Sequence, residues 1–278
     1  MLGESVNAGE VGGLSMTDQG KAARAARHFH EIYRNKARLA PLPPELRPAD
    51  LAEAYATQEA LQELFAPARG AVLGYKIAIT TPVMQRLMGI AHPCGGAVFA
   101  SMLHRSPAVL RCADFVNVAV ECEIGVRIGE DLPASRRYDR DSIARAISAC
   151  MASIEIVDDQ NADYKLADGL NLVANNAWNA GLVIGADVAE WRKLDLAALR
   201  GRMLFNGAEV GSGVGADVLG HPLSALAWLA NALAERGRPL RKGMVVSTGS
   251  IVSTKWPKSG DHVVIELEGL GEAVAEFV

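Results

Sequence analysis

Val116-Asn117-Val118-Ala119-Val120-Glu121-Cys122-Glu123-Ile124-Gly125-Val126-Arg127-Ile128 is a run with the β-branched composition of a strand. Residues two apart on a strand share a face, so Glu121 and Glu123 project side by side while Cys122 turns toward the core. Val118, Val120, Ile124 and Val126 leave this strand few wet positions. Two adjacent carboxylates repel unless something cationic lies between them. An exposed edge strand would tolerate the pair in solvent. In a buried strand, a hard divalent cation such as Mg²⁺ or Mn²⁺, which prefers oxygen ligands, would resolve the conflict.

A third carboxylate stands in another apolar run, Ile154-Glu155-Ile156-Val157, which follows a helix-like segment from Asp141 to Met151 and ends at Asp158-Asp159. Burying an unpaired carboxylate is costly. A partner Arg or Lys, or exposure on an outer face, would account for Glu155. So would a place in the shell begun by Glu121 and Glu123, with Asp158 and Asp159 as competing ligands or loop caps. Three monodentate carboxylates leave octahedral positions open for water or substrate.

The composition of the 278 residues, 50% hydrophobic and 22% charged, is that of a globular chain with ample core. The net charge of −4 and the lack of a basic stretch argue against nucleic acid as a partner. No apolar run is long enough to span a bilayer, so no membrane partner is expected. Residues 1–16 are Gly-rich, lack the pattern of a secretory signal, and are expected to be disordered, with Met16 as an alternative start. Cys94, Cys112, Cys122 and Cys150 form no zinc or CxxC spacing and are expected to be reduced thiols of a cytoplasmic protein.

Residues 17–70 are expected to form a helical segment: Asp18 to Lys36 lying on the surface, then a helix opened by Ala49-Asp50, striped with Leu51, Tyr55, Leu61, Leu64 and Phe65, and ended by Gly70. Residues 71–278 follow as a second, mostly β unit. Val72 to Ile79 predicts a strand carrying Lys76; Thr80 or Thr81 caps a short helix with Pro82 in its first position and Gly89 at its end. His92 to Gly96 reads as a loop before a strand begun by Val98-Phe99. A loop through Asn171–Gly181 leads to a strand over Leu182 to Ile184. Asn206-Gly207 marks a hairpin, and Pro222 opens a helix with Leu223, Leu226, Leu229 and Leu233 facing the core. Val245 to Ser247 runs into a turn, Thr248-Gly249-Ser250, and Val263 to Leu267 is the final strand. Helices first, then mostly strands, predict an α+β fold with a curled mixed sheet.

Four further places are chemical candidates. Lys76 points either outward or into the carboxylate cleft, where it would balance charge or move a proton. His221 either serves the helix start or touches substrate. Thr248-Gly249-Ser250 offers N–H groups and hydroxyls to a substrate carboxylate, or is only a tight turn. Asn175, Asn176 and Asn179 are candidates for pocket lining.

Gly74-Tyr75-Lys76-Ile77-Ala78-Ile79-Thr80, Glu121-Cys122-Glu123, Glu155-Ile156-Val157-Asp158, Leu219-Gly220-His221-Pro222-Leu223 with Ala225 to Asn231, and Thr248-Gly249-Ser250 occur in this order. Together they resemble the 2-keto-4-pentenoate hydratase / 2-oxo-3-hexenedioate decarboxylase branch of the fumarylacetoacetate hydrolase superfamily. The resemblance implies a mixed β-sheet roll of the fumarylacetoacetate hydrolase C-terminal-domain type with N-terminal helices beside it, and a homo-oligomer. It implies Mg²⁺ or Mn²⁺ on Glu121, Glu123 and Glu155, a catalytic Lys76, and substrate-binding roles for Thr248, Gly249, Ser250, Asn176 and His221. Three places depart from the family pattern: Cys94 stands near a usual acidic residue, Asp158-Asp159-Gln160 replaces Asp-Ser-Arg, and Asn175-Asn176-Ala177-Trp178-Asn179 replaces Asp-Asn-Ala-Ser-Ser. The implied reaction is hydration of a short 2-hydroxy-2,4-dienoate to a 4-hydroxy-2-oxoacid. Its rivals are 2-oxo-3-enedioate decarboxylation, acylpyruvate-type C–C hydrolysis, and a catalytically silent metal-binding subunit of a partner enzyme.

Overall fold

The computed structural model describes residues 16–278, with side chains from residue 20 onward. The N-terminal stretch expected to be disordered lies outside the described residues, except for Met16. Helix α1 (Met16–Asn35) packs on α2 (Leu51–Arg69), with Lys21 Nζ 2.7 Å from Glu53 Oε2. Helix α1 exposes Arg24, Arg27 and Glu31 on one face and packs through the other. Ala22, Ala25, Ala26, Phe29 and Ile32 are buried at helical spacing, because small alanines let the two helices approach closely. Asp50 caps α2 by accepting from the Glu53 N–H, and Gly70 ends it at φ 80°.

Strand β1 (Val72–Ala78) carries Lys76, and α3 (Pro82–Met88) is capped by the Thr81 side chain and closed by Gly89 in the left-handed region. Strand β2 (Cys94–Phe99) overturns the expected loop at His92 to Gly96, since Cys94, Gly95 and Gly96 pair with Ala78, Ile77 and Lys76. Its glycines permit close packing rather than a turn: a Cβ on Gly96 would lie 2.4 Å from the Asn176 carbonyl oxygen. Short strands β3 (Leu103–Arg105) and β4 (Ala108–Leu110) precede β5 (Val118–Ile128).

Helix α4 (Arg140–Arg145), with an Asp139/Ser142 capping box, is shorter than the predicted Asp141–Met151 helix. From Ile147 the chain is already in β6 (Ile147–Asp158). The alanine-containing run that follows looks helical by propensity, but pairing along the whole length of β5 overrides that preference. Helix α5 (Gly169–Ala174) replaces the first part of the expected loop, and β7 (Asn179–Ile184) begins three residues before the predicted strand. Strands β8 (Arg200–Phe205) and β9 (Ala208–Val214) form the expected hairpin, with Asn206 at φ 53° and Gly207 at φ 83° as a two-residue turn of the I′ kind. Helix α6 (Pro222–Glu235) buries all four predicted leucines. It is followed by β10 (Val245–Lys255), β11 (His262–Leu267) and β12 (Gly271–Phe277), the last unforeseen.

The strands form two mixed sheets rather than one. The larger runs β2-β1-β10-β5-β6-β7-β3, and the smaller runs β4-β12-β11-β8-β9. Pairs β1/β10, β3/β7 and β4/β12 are parallel and the others antiparallel. The sheets pack face to face at Gly201, where a Cβ would sit 2.4 Å from Ile251 Cδ1 and 3.4 Å from Cys122 Sγ. Cys122 therefore points into the core between the sheets, and the opposite face of β5 carries Glu121 and Glu123. This is the α+β mixed roll expected from the sequence.

The β1/β10 seam depends on Gly74, where a Cβ would lie 2.0 Å from the Val245 carbonyl oxygen. Gly74→Ala is expected to force the strands apart and to cost about 1–3 kcal/mol, the usual penalty of overpacking. Urea unfolding of the two proteins measures this, and an unchanged midpoint would contradict the packing described.

Candidate metal centre

The antiparallel register of β5 and β6 sets Glu121 opposite Glu155 and Glu123 opposite Ser153. All three glutamates thus share one face, and one carboxylate oxygen from each lies within 4.8 Å of the others. Donors around a small octahedral ion are about 3–4 Å apart, so only slight contraction is needed to seat one. Glu123 and Glu155 are fully buried, whereas Glu121 is partly accessible.

Lys76 points inward. Strand β1 is three places from β6 in the sheet, a separation of about 14 Å if the sheet were flat. Curling closes that gap, bringing Lys76 Nζ to 2.5 Å from Glu155 Oε1 with both side chains buried. Burial alone would lower the lysine pKa, but the Glu155 and Glu121 carboxylates outweigh it and hold the pKa above its ordinary value. Lys76 is therefore a proton-bearing cation.

Thr248-Gly249-Ser250 differs from expectation. It is a bulge inside β10 rather than a turn at a strand end, with the pairing to β5 shifting between Ser247 and Ser250. Gly249 adopts φ 124°, and a Cβ there would meet Thr80 at 2.6 Å. The bulge turns the Gly249 N–H onto Glu123 Oε2 at 2.8 Å, and Thr248 Oγ1 donates to the Ile124 carbonyl at 2.9 Å. These two residues support the carboxylate strand, leaving Ser250 as the only one of the three that lines the neighbouring cavity.

Asn176 and His221 are not among the residues lining the cavity, and each is engaged by the fold. Asn176 is fully buried; its side chain exchanges hydrogen bonds with the Ala97 backbone and accepts from Gln62. His221 caps α6, accepting from the Leu223 N–H at 3.0 Å, and does not line the cavity. Asp158 accepts from the Val116 and Asn117 N–H groups, and Asp159 from Tyr164 and Trp256, so neither joins the cluster. Thr254 was not foreseen: its hydroxyl donates to Glu121 Oε1. Its signal lay only in the β5/β10 pairing, which no local pattern reveals.

The donor set fits a divalent cation. It is all oxygen, and Glu123 Oε1 and Glu155 Oε2 are buried without hydrogen-bond partners. Three carboxylates against one ammonium leave two negative charges when all are ionised, which one divalent ion balances. Burial and the Glu155 charge push the Glu121 carboxyl up to about 7 and Glu123 well above the usual range. Without a cation the folded protein then holds protons that the unfolded chain releases above about pH 4.5. Its stability should fall as pH rises from that point through about 7. In the presence of chelator, the melting temperature is expected to decline from about pH 5 to about pH 8. The rise given by Mn²⁺ should grow over the same interval, and thermal melts with chelator or Mn²⁺ measure both. A Mn²⁺ effect independent of pH would contradict this reading of the cluster.

The cluster opens through Lys76 and Glu121 into a cavity of ≈ 990 Å³ between α3, the β10 bulge and the segment around Trp178. Among the described residues, no helix is long and apolar enough to cross a membrane.

Residues 97–278 match the family described as fumarylacetoacetate (FAA) hydrolase C-terminal. The chain is 32% identical over 262 residues to 2-keto-4-pentenoate hydratase of Paraburkholderia phymatum, covering 94% of this chain and 99% of that protein. It is 31% identical over 227 residues to 4-oxalocrotonate decarboxylase of Pseudomonas putida, covering 82% and 85% respectively. The solved 4-oxalocrotonate decarboxylase of Pseudomonas putida G7, complexed with magnesium and adipate, superposes with a TM-score of 0.85 at 27% identity. That match covers 94% of this chain and 98% of the other.

Proposed function

Because the chain belongs to the fumarylacetoacetate hydrolase family, we propose that it is a divalent-metal-dependent hydratase, adding water to a short 2-hydroxy-2,4-dienoate to give a 4-hydroxy-2-oxoacid. The observation that carries this reading is the convergence of Glu121, Glu123 and Glu155 beside an inward Lys76 at the mouth of a cavity. The hydratase name of a relative spanning almost the whole chain supports it.

In this proposal Glu121, Glu123 and Glu155 hold Mg²⁺ or Mn²⁺. When bound, the ion would supply Lewis acidity to an oxoacid head, stabilising negative charge that develops there. The reaction needs the 2-hydroxyl proton removed and a proton delivered to C5, giving the isomeric conjugated 2-oxo-3-enoate, then one water added as hydroxyl at C4 and proton at C3. Lys76 keeps its proton and faces the cluster, so its role is to offset developing negative charge and to donate. Thr254 fixes Glu121, and the Gly249 N–H fixes Glu123. These contacts hold the ligand oxygens in place before substrate arrives.

The proposal includes a homo-oligomer, which the family resemblance implies, and a cytoplasmic place, which suits four free cysteines. A single-chain mass by light scattering would remove that part. The reaction is tested by a paired assay with Mg²⁺ and Mn²⁺, following loss of dienol absorbance from 2-hydroxypenta-2,4-dienoate and CO₂ release from 2-oxo-3-hexenedioate. Metal-dependent formation of the 4-hydroxy-2-oxoacid is the expected result. CO₂ release without hydration would move the chain to the decarboxylase reaction.

A further inference from the structure

The cavity of ≈ 990 Å³ is far larger than a five-carbon acid, and the one cation among the described residues of its lining, Lys76, stands at the glutamate cluster. Resting on the hydratase reading above, we infer that its substrate carries an apolar alkyl or aryl tail beyond C5 and no second carboxylate.

Among the described residues lining the cavity, Lys76 is the only cation, and it is already paired with Glu155. The only carboxylates in the lining are Glu121, in the cluster, and Asp217, which would repel a second substrate carboxylate. The rest of the wall is dominated by apolar groups, including Ile79, Met84, Met88, Leu172, Trp178 and Leu219. The indole N–H of Trp178 is buried without a partner. Neutral donors such as this N–H and the hydroxyls of Thr80, Tyr164 and Ser250 offset part of the desolvation of a carboxylate but do not replace a cation. A hydrocarbon tail, in contrast, gains from each methylene it buries, and the flexible thioethers of Met84 and Met88 can adapt to its shape. One end of the site thus takes the charged 2-oxo acid head, and the other takes an apolar chain.

The test is binding by calorimetry to the Mg²⁺-loaded full-length protein, using unreactive saturated acids. The set is 2-oxopentanoate, 2-oxohexanoate, 2-oxooctanoate and 2-oxohexanedioate. Affinity is expected to rise about fourfold per added methylene, so by roughly sixtyfold from the five- to the eight-carbon acid. The dioate is expected to bind about tenfold or more weakly than 2-oxohexanoate. Met84→Arg places a cation on the wall and should raise the dioate-to-monoacid affinity ratio, a comparison made within one protein and so independent of how much of it is folded. A dioate that binds the original protein as tightly as 2-oxohexanoate, or no gain from five to eight carbons, would overturn the inference. Turnover of 2-hydroxypenta-2,4-dienoate is measured separately. Failure there, with the binding order intact, would count against hydration and not against the apolar tail.

Discussion

Glu123→Gln is expected to abolish metal-dependent turnover, by about 10³-fold or more, while leaving the metal-free protein at least as stable as the original. Glu123 is fully buried, and its Oε2 accepts from the Gly249 N–H at 2.8 Å. A glutamine amide keeps the shape and can still accept that hydrogen bond through its oxygen. What it removes is a buried carboxyl that, without a cation, ionises only against the repulsion of its two neighbours. A carboxylate that served only the fold would behave in the opposite way, its loss lowering stability with little effect on chemistry. Dienol turnover and thermal melts with chelator measure these two consequences, and calorimetric Mn²⁺ titration measures the expected loss of ion binding. Turnover within about tenfold of the original protein would mean that Glu123 is not a ligand.

Lys76→Met should separate metal binding from catalysis. Methionine is of similar length, so the cavity wall is largely retained. Removing the ammonium leaves Glu155 buried without its counter-charge, and the metal-free protein is expected to lose about 3–5 kcal/mol of stability, the usual result of breaking a buried pair. Added Mn²⁺ should recover most of that loss, because the site then presents three uncompensated carboxylates and binds the ion at least as tightly. The kcat is expected to fall by about 10²–10⁴-fold, the range for losing a positioned proton donor. Chelator and Mn²⁺ melts together with steady-state kinetics provide the readouts. Loss of Mn²⁺ affinity, or an unchanged kcat, would remove Lys76 from the mechanism proposed here. The pair of variants is informative because their signs differ: one loses the ion and keeps the fold, the other keeps the ion and loses the rate.

Legibility in the sequence followed whether a signal was local. The shared face of Glu121 and Glu123 follows from strand alternation alone, and the Asn206-Gly207 hairpin follows from two positions with positive φ. The meeting of Glu155 with them is set by the register of two strands, which family resemblance supplied and periodicity did not. Gly95 and Gly96 looked like turn formers because glycine serves both turns and close contact, and only packing against Leu229 and Asn176 shows which applies. Strand β12 was missed although Ala273, Ala275 and Phe277 alternate inward, since two alanines make a weak apolar pattern. His221 and Asn176 carry chemistry-bearing side chains, but the start of α6 engages His221 Nδ1, and the Ala97 backbone and Gln62 engage Asn176. Thr254 and the Gly249 N–H steady the glutamates from a strand far away in sequence, where no local motif points to them.

The most direct test of the account is an anomalous difference map from crystals of the protein soaked in Mn²⁺. One peak about 2.1 Å from carboxylate oxygens of Glu121, Glu123 and Glu155 is the predicted result. A peak bound by other residues, or none at millimolar Mn²⁺, would contradict the assignment of these three glutamates as the metal centre.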